Sequence, residues 1–193
     1  MAPILLVPAR PVDRALLYSL RAPLNGAFQF TASPSHPNAL IAEDEGIDGA
    51  PAFDHARKQY FSSTLLSAVN EKYSSHGGKI LCVTSGDLFV PVLTYLFGEA
   101  QLQGKAAVVS TFRLEESFYG LPANDALTKE RLLKESLHEL GHTFGLFHCH
   151  DLRCVMHSST AVEEIDLKGG TYCETCRERI VRAAGDRRSA LSG

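Results

Sequence analysis

HELGHTFGLFH, residues 138–148, is the stretch on which the reading of the whole chain turns. On a helix, His138 and His142 lie four residues apart, so they stand about 40° apart on one face, one turn above the other. Two imidazoles so placed can hold one zinc ion. Glu139 projects about 100° away from His138, beside the metal and off it, where a general base toward a metal-activated water belongs. Gly145 ends the helix by taking the left-handed conformation and lets the chain return His148 as a third ligand. Three protein ligands leave one zinc position open, the catalytic arrangement. A single histidine is ordinarily a solvated or core residue. Five specified positions in eleven, however, arise by chance in fewer than about one in a million windows.

The same helix carries an apolar seam of Leu133, Leu137, Leu140 and Phe144 at i, i+4, i+7 and i+11. It lies roughly 150° from the histidine face, so the helix serves core on one side and metal on the other. Thr128 is the expected cap, with Glu130 in the first turn.

Outward from that helix, the rest of the 193 residues reads as alternating strands and helices, hence an α/β (α+β) fold with a mixed sheet. Residues 2–8 form a strand. Asp13 caps a helix carrying Leu16, Leu17 and Leu20. Gly26 to Ala32, with alternating Phe28 and Phe30, reads as a second strand. Ser33 to Pro51 is a loop rich in Ser, Pro, Gly and acids, with a solvated His36. A helix is expected over Phe53 to Ser75, with Tyr60, Leu65, Leu66 and Val69 on its apolar side. KILCVT, 79–84, is a buried strand with Cys82 as core filling. Leu88 to Phe97 and Lys105 to Thr111 are two further strands. Arg113 to Asp125 is irregular, and His55 and His76 lie on the surface.

Four of the five cysteines follow the histidine motif. Cys149 and Cys154 are separated by four residues, Cys173 and Cys176 by two, and both spacings suit a closed, tetrahedral structural zinc. Disulfides are disfavoured without secretion, and no thioredoxin-like strand precedes Cys173 and Cys176 to support a redox pair. His150 and His157 are potential rival ligands, but four cysteines complete the shell. Arg177, Arg179 and Arg182 either offset the thiolate charge or form a solvated helix face.

The net charge of −3 gives no reason to expect nucleic acid. MAPILLVPARP lacks the basic start of a signal peptide, and no apolar run approaches the roughly 20 residues of a membrane span. The expectation is a cytoplasmic monomer with reduced thiols.

HELGHTFGLFH resembles the metzincin signature HExxHxxGxxH. Its continuation H-C-x4-C-x-M, then C-x2-C, looks like the archaemetzincin family, here running through His148, Cys149, Cys154, Met156, Cys173 and Cys176. FGEA (97–100), VVS (108–110), RL (113–114) and FYG (118–120) are similar to that family as well. The resemblance implies a two-lobed zincin fold. Residues 1–145 would form an upper lobe with the active-site helix, and 146–193 a lower lobe with the Met-turn. Met156 would be an apolar floor beneath the catalytic zinc, and the four cysteines would hold a second zinc. The implied activity is peptide-bond hydrolysis, as an endo- or aminopeptidase of unknown substrate, with Glu139 as general base. A peptide-binding module with little or no turnover is the rival reading, against which the intact Glu139 counts. In some metzincins a tyrosine two residues beyond the methionine assists the transition state. Here that position is Ser158, so the oxyanion must be stabilised by the zinc or from elsewhere, with Tyr119 as the substrate-side candidate. Substrate would lie along the edge strand of the upper sheet, for which Leu88 to Phe97 is the antiparallel candidate.

Overall fold

The computed structural model describes residues 3–29 and 39–189. KILCVT forms the central strand of a five-stranded sheet, and its alternation assigns each layer. Cys82 and Ile80 face one side, Leu81 and Val83 the other. Sheet order is β2 (Ala39–Ile41), β1 (Ile4–Pro8), β5 (Lys79–Thr84), β9 (Ala106–Ser110), β8 (Gly98–Ala100). The first four strands are parallel, in register Leu5↔Ile80 and Cys82↔Val108. β8 runs antiparallel at the edge, Glu99 opposite Val108. A second sheet joins β3 (Phe53–Asp54), β4 (Gln59–Phe61), β6 (Leu88–Val90) and β7 (Leu93–Leu96).

The Leu81 side is covered by α1 (Arg14–Ala27) and α3 (Asp125–Thr143), the Cys82 side by α2 (Ser62–Lys72). Asp13 caps α1 through Ala15 N–H at 2.9 Å, and Leu17, Leu20 and Leu24 are buried beneath it. Beyond α3 come α4 (Val162–Leu167) and α5 (Glu174–Ser189). Val155, Met156, Ile165, Tyr172 and Ile180 join the same core as α1 and α3. Tyr172 shows how: its ring meets Phe28 at 5.8 Å, and its hydroxyl donates to Leu137 O at 2.6 Å.

Several expected elements differ. Gly26 and Ala27 end α1 instead of opening a strand, and Phe28 drops into the core against Phe144 at 5.8 Å; residues 30–32, and His36, lie outside the described residues. Part of the expected 33–51 loop is the strand β2. Phe53 to Phe61 is a two-stranded turn, not the start of a helix. Asp54 accepts the N–H groups of Ala56 and Arg57, Lys58 is left-handed at φ 56°, and Phe53 packs tilted against Tyr60 with ring centroids 4.9 Å apart. Leu88 to Phe97 divides at Pro91 into the hairpin β6–β7, since proline lacks the N–H that a continuous ladder needs. The antiparallel edge of the larger sheet is therefore β8. Asn124, not Thr128, caps α3, accepting from Leu127 N–H at 3.2 Å; Thr128 is buried one turn in. Leu132 is fully buried and Leu133 is partly buried against the same core, so both contribute at that end of the apolar seam.

Candidate active site and metal centre

α3 is buried nearly all round, as a helix serving core and site together must be. It ends at Thr143, and Gly145 turns the chain at φ +89°, a conformation that costs other residues about 1–2 kcal/mol. The turn brings His148 back to the helix. Ring centroids are 4.7 Å apart for His138 and His142, and 5.2 Å from each to His148. The Nε2 atoms of His138 and His142 are 3.1 Å apart. Two nitrogens on one tetrahedral zinc stand about 3.3 Å apart, so this donor set fits such an ion. Each helix histidine has its other nitrogen at a carbonyl: His138 Nδ1 at Val155 O, 2.9 Å, and His142 Nδ1 at Leu146 O, 2.8 Å. These contacts orient the rings with Nε2 toward the shared point. Burial holds the His138 imidazole well below its usual pKa, helped by the charge of Lys168, and burial lowers His142 and His148 too. All three are thus neutral near pH 7, the form that binds metal.

Glu139 is buried beside them, and burial together with Glu135 raises its carboxyl well above the usual range. Gly98 of β8 leans on it. A Cβ there would sit 2.6 Å from Glu139 Cγ and 2.8 Å from Val108 O. Gly98→Ala therefore has to displace the glutamate or the edge strand, and a misplacement of that order costs about 10²-fold in rate. The expected result is turnover lowered to that extent with zinc content unchanged, measured by kinetics and metal analysis on one preparation. Met156 is fully buried, its Sδ against Gly141, where a Cβ would meet it at 2.3 Å. It thus lies under α3 one residue from His142.

The three histidines and Glu139 open on a cleft of about 650 Å³. One wall is Leu93 to Ala100, the other Ser158 to Thr160, with Leu102 and Phe147 nearby. Tyr119 is not among the lining residues; its hydroxyl donates to Arg113 O at 2.9 Å. The tyrosine in the cleft is Tyr95, whose hydroxyl donates across to Thr160 O at 2.7 Å. Its place two residues before the FGEA run was the available signal. Ser158 also lines the cleft.

Cys149, Cys154, Cys173 and Cys176 form a second cluster with all sulfurs within 4.8 Å of one another. Cys149 Sγ and Cys173 Sγ are 3.9 Å apart, against about 3.8 Å for two thiolates on one tetrahedral zinc. Burial pushes the Cys154 and Cys176 thiols up, so a cation is what would keep these two ionised beside the other sulfurs. His150 is exposed, and His157 Nδ1 is engaged at Cys149 O, 2.9 Å; neither belongs to the cluster. Arg177, Arg179 and Arg182 are exposed on α5, and Arg182 pairs with Glu178 at 3.4 Å.

Residues 45–182 match the model of peptidase family M54. An archaemetzincin of Methanocaldococcus jannaschii is 40% identical over 129 residues, 67% of this chain and 70% of that one. An archaemetzincin of Pyrococcus abyssi is 34% identical over 181 residues, 93% of this chain and 95% of its own. The crystal structure of a zinc-dependent peptidase from Methanocorpusculum labreanum superimposes with a TM-score of 0.79 at 29% identity, covering 92% of this chain and 99% of that one. With a converging histidine set, a cysteine cluster and these relatives in agreement, the chain belongs to peptidase family M54, the archaemetzincins, and is a zinc metallopeptidase.

Proposed function

We infer that His138, His142 and His148 hold a catalytic zinc, that Glu139 is the general base, and that the four cysteines hold a second, structural zinc. The observation that carries this reading is three neutral imidazoles converging beside a buried glutamate, beneath the antiparallel edge of the sheet. Zinc at the histidines supplies Lewis-acid polarisation of the scissile carbonyl and acidifies water toward pKa about 7. Glu139 takes the proton from the attacking water and returns it to the leaving amine. β8 is paired on one side only, so its outer edge can align an extended peptide by main-chain hydrogen bonds. The 155–157 backbone orients His138 and carries the Met156 floor. In this reading residues 146–193 form a lower lobe pinned by the cysteine zinc, which closes the far wall of the cleft.

Leu93, Leu96, Phe97, Leu102 and Phe147 make the cleft largely apolar, and its charged lining groups are Glu99, Glu135 and Glu139, with no lysine or arginine among the described lining residues. Peptides with a large apolar side chain next to the scissile bond should be cleaved at least about tenfold faster than those with Asp or Glu there. A peptide-library digest with and without a chelator tests both points. Products that disappear with chelator and carry the apolar preference are the expected result. No products in either arm would leave a peptide-binding module in place of an enzyme.

A further inference from the structure

The face of α3 that carries His138 also ties the helix to α4. Arg131, Lys134 and Glu135 stand seven, four and three residues before His138, on the same side of the helix, and all three are buried. Arg131 grips the Asp166 carboxylate at 2.7 and 2.6 Å, and Lys134 donates to Ile165 O and Asp166 O at 3.1 Å each. Lys168, the first residue past α4, reaches back the other way: its ammonium is 2.6 Å from Glu135 Oε1. The same ammonium lies 3.5 Å from His138 Nδ1 and donates to His157 O at 3.4 Å. Lysine is almost never this deeply buried, 3% exposed, without a partner that needs it there.

Two acceptors thus meet at one ammonium, a carboxylate one turn before Glu139 and a carbonyl two residues beyond Val155, whose own carbonyl orients the neighbouring ring of a candidate zinc ligand. We propose that Lys168 is a positioning residue of the three-histidine site, bridging Glu135 to His157 O and so holding the 155–157 backbone, and through Val155 O the His138 ring, in the ligating arrangement. The proposal rests on the reading of the three histidines as zinc ligands. Groups that orient a ligating imidazole are typically worth 10- to 100-fold in metal affinity.

The test is Lys168→Met, read by zinc affinity at the histidine site in a chelator competition, by total zinc per chain, and by thermal melting. The expected result is 10- to 100-fold weaker zinc at the histidines with the cysteine-bound zinc retained. Histidine-site affinity within twofold of the parent overturns the proposal, and it does so equally if melting falls, because Lys168 would then only hold α4 in place. If the single variant does not fold, Glu135→Gln with Lys168→Met removes the stranded carboxylate and is judged by the same criterion. A parent protein that takes up zinc at the cysteines alone would sink the underlying site reading. A parent with two zinc ions and an unaltered variant would sink only the role of Lys168.

Discussion

Glu139→Gln lowers peptide turnover by roughly 10²- to 10⁴-fold and leaves zinc content as it was. The substitution is nearly isosteric, so the packing of Glu139 against Gly98 survives. The histidine rings, oriented by Val155 O and Leu146 O, do not depend on the carboxylate. What is lost is an oxygen that accepts a proton and gives it up again. Burial and the neighbouring Glu135 push the parent carboxyl's proton affinity upward, which favours it as an acceptor over an ordinary surface glutamate. Steady-state kinetics on a cleaved library peptide, with metal analysis of the same sample, decide the matter. Turnover within threefold of the parent would remove Glu139 from its role.

Cys154→Ser reduces zinc to at most one ion per chain and disorders the chain beyond Gly145. Cys154 is fully buried, and its sulfur accepts the Cys173 N–H at 3.3 Å while its backbone bridges to Thr171. A structural zinc on such a set is worth roughly 10–16 kcal/mol at pH 7. A domain of ordinary stability has a net margin of about 5–15 kcal/mol. The metal contribution is thus as large as the whole margin. Tyr172, Ile165 and Ile180 still pack in the core with α3 and Phe28, so the loss should show first as local opening around the cysteines. Hydrogen exchange should show the amides of 149–180 losing protection before those of β5 and β9. A variant that keeps that protection and two zinc ions would refute the assignment of the cysteines.

The sequence made some of this legible and hid the rest for identifiable reasons. Histidine spacing, Gly145 and the KILCVT strand were readable because each depends on residues near in the chain. The cysteine cluster was readable because paired spacings announce a tetrahedral set. The aromatics of Phe53–Phe61 fit a helical stripe as well as a strand, and the turn at 55–58 depends on the Asp54 side chain. Asn124 was passed over as a cap because Thr128 lies closer to the apolar run. Most consequential, nothing in RLLKES (131–136) marks its charged residues for burial. The structure buries Arg131, Lys134 and Glu135 against Asp166 and Lys168, partners more than thirty residues downstream that no local pattern reveals.

His148 and Cys149 are neighbours in the chain, yet their side chains go to different clusters. A single peptide bond therefore joins the histidine cluster to the cysteine cluster, so on the proposed reading a slack sulfur shell would leave His148 free to wander from its partners. If both clusters bind zinc as proposed, the sulfur shell would have to close before the histidine centre is complete. A chain loaded at its sulfurs alone would then be folded and idle, waiting for its second ion.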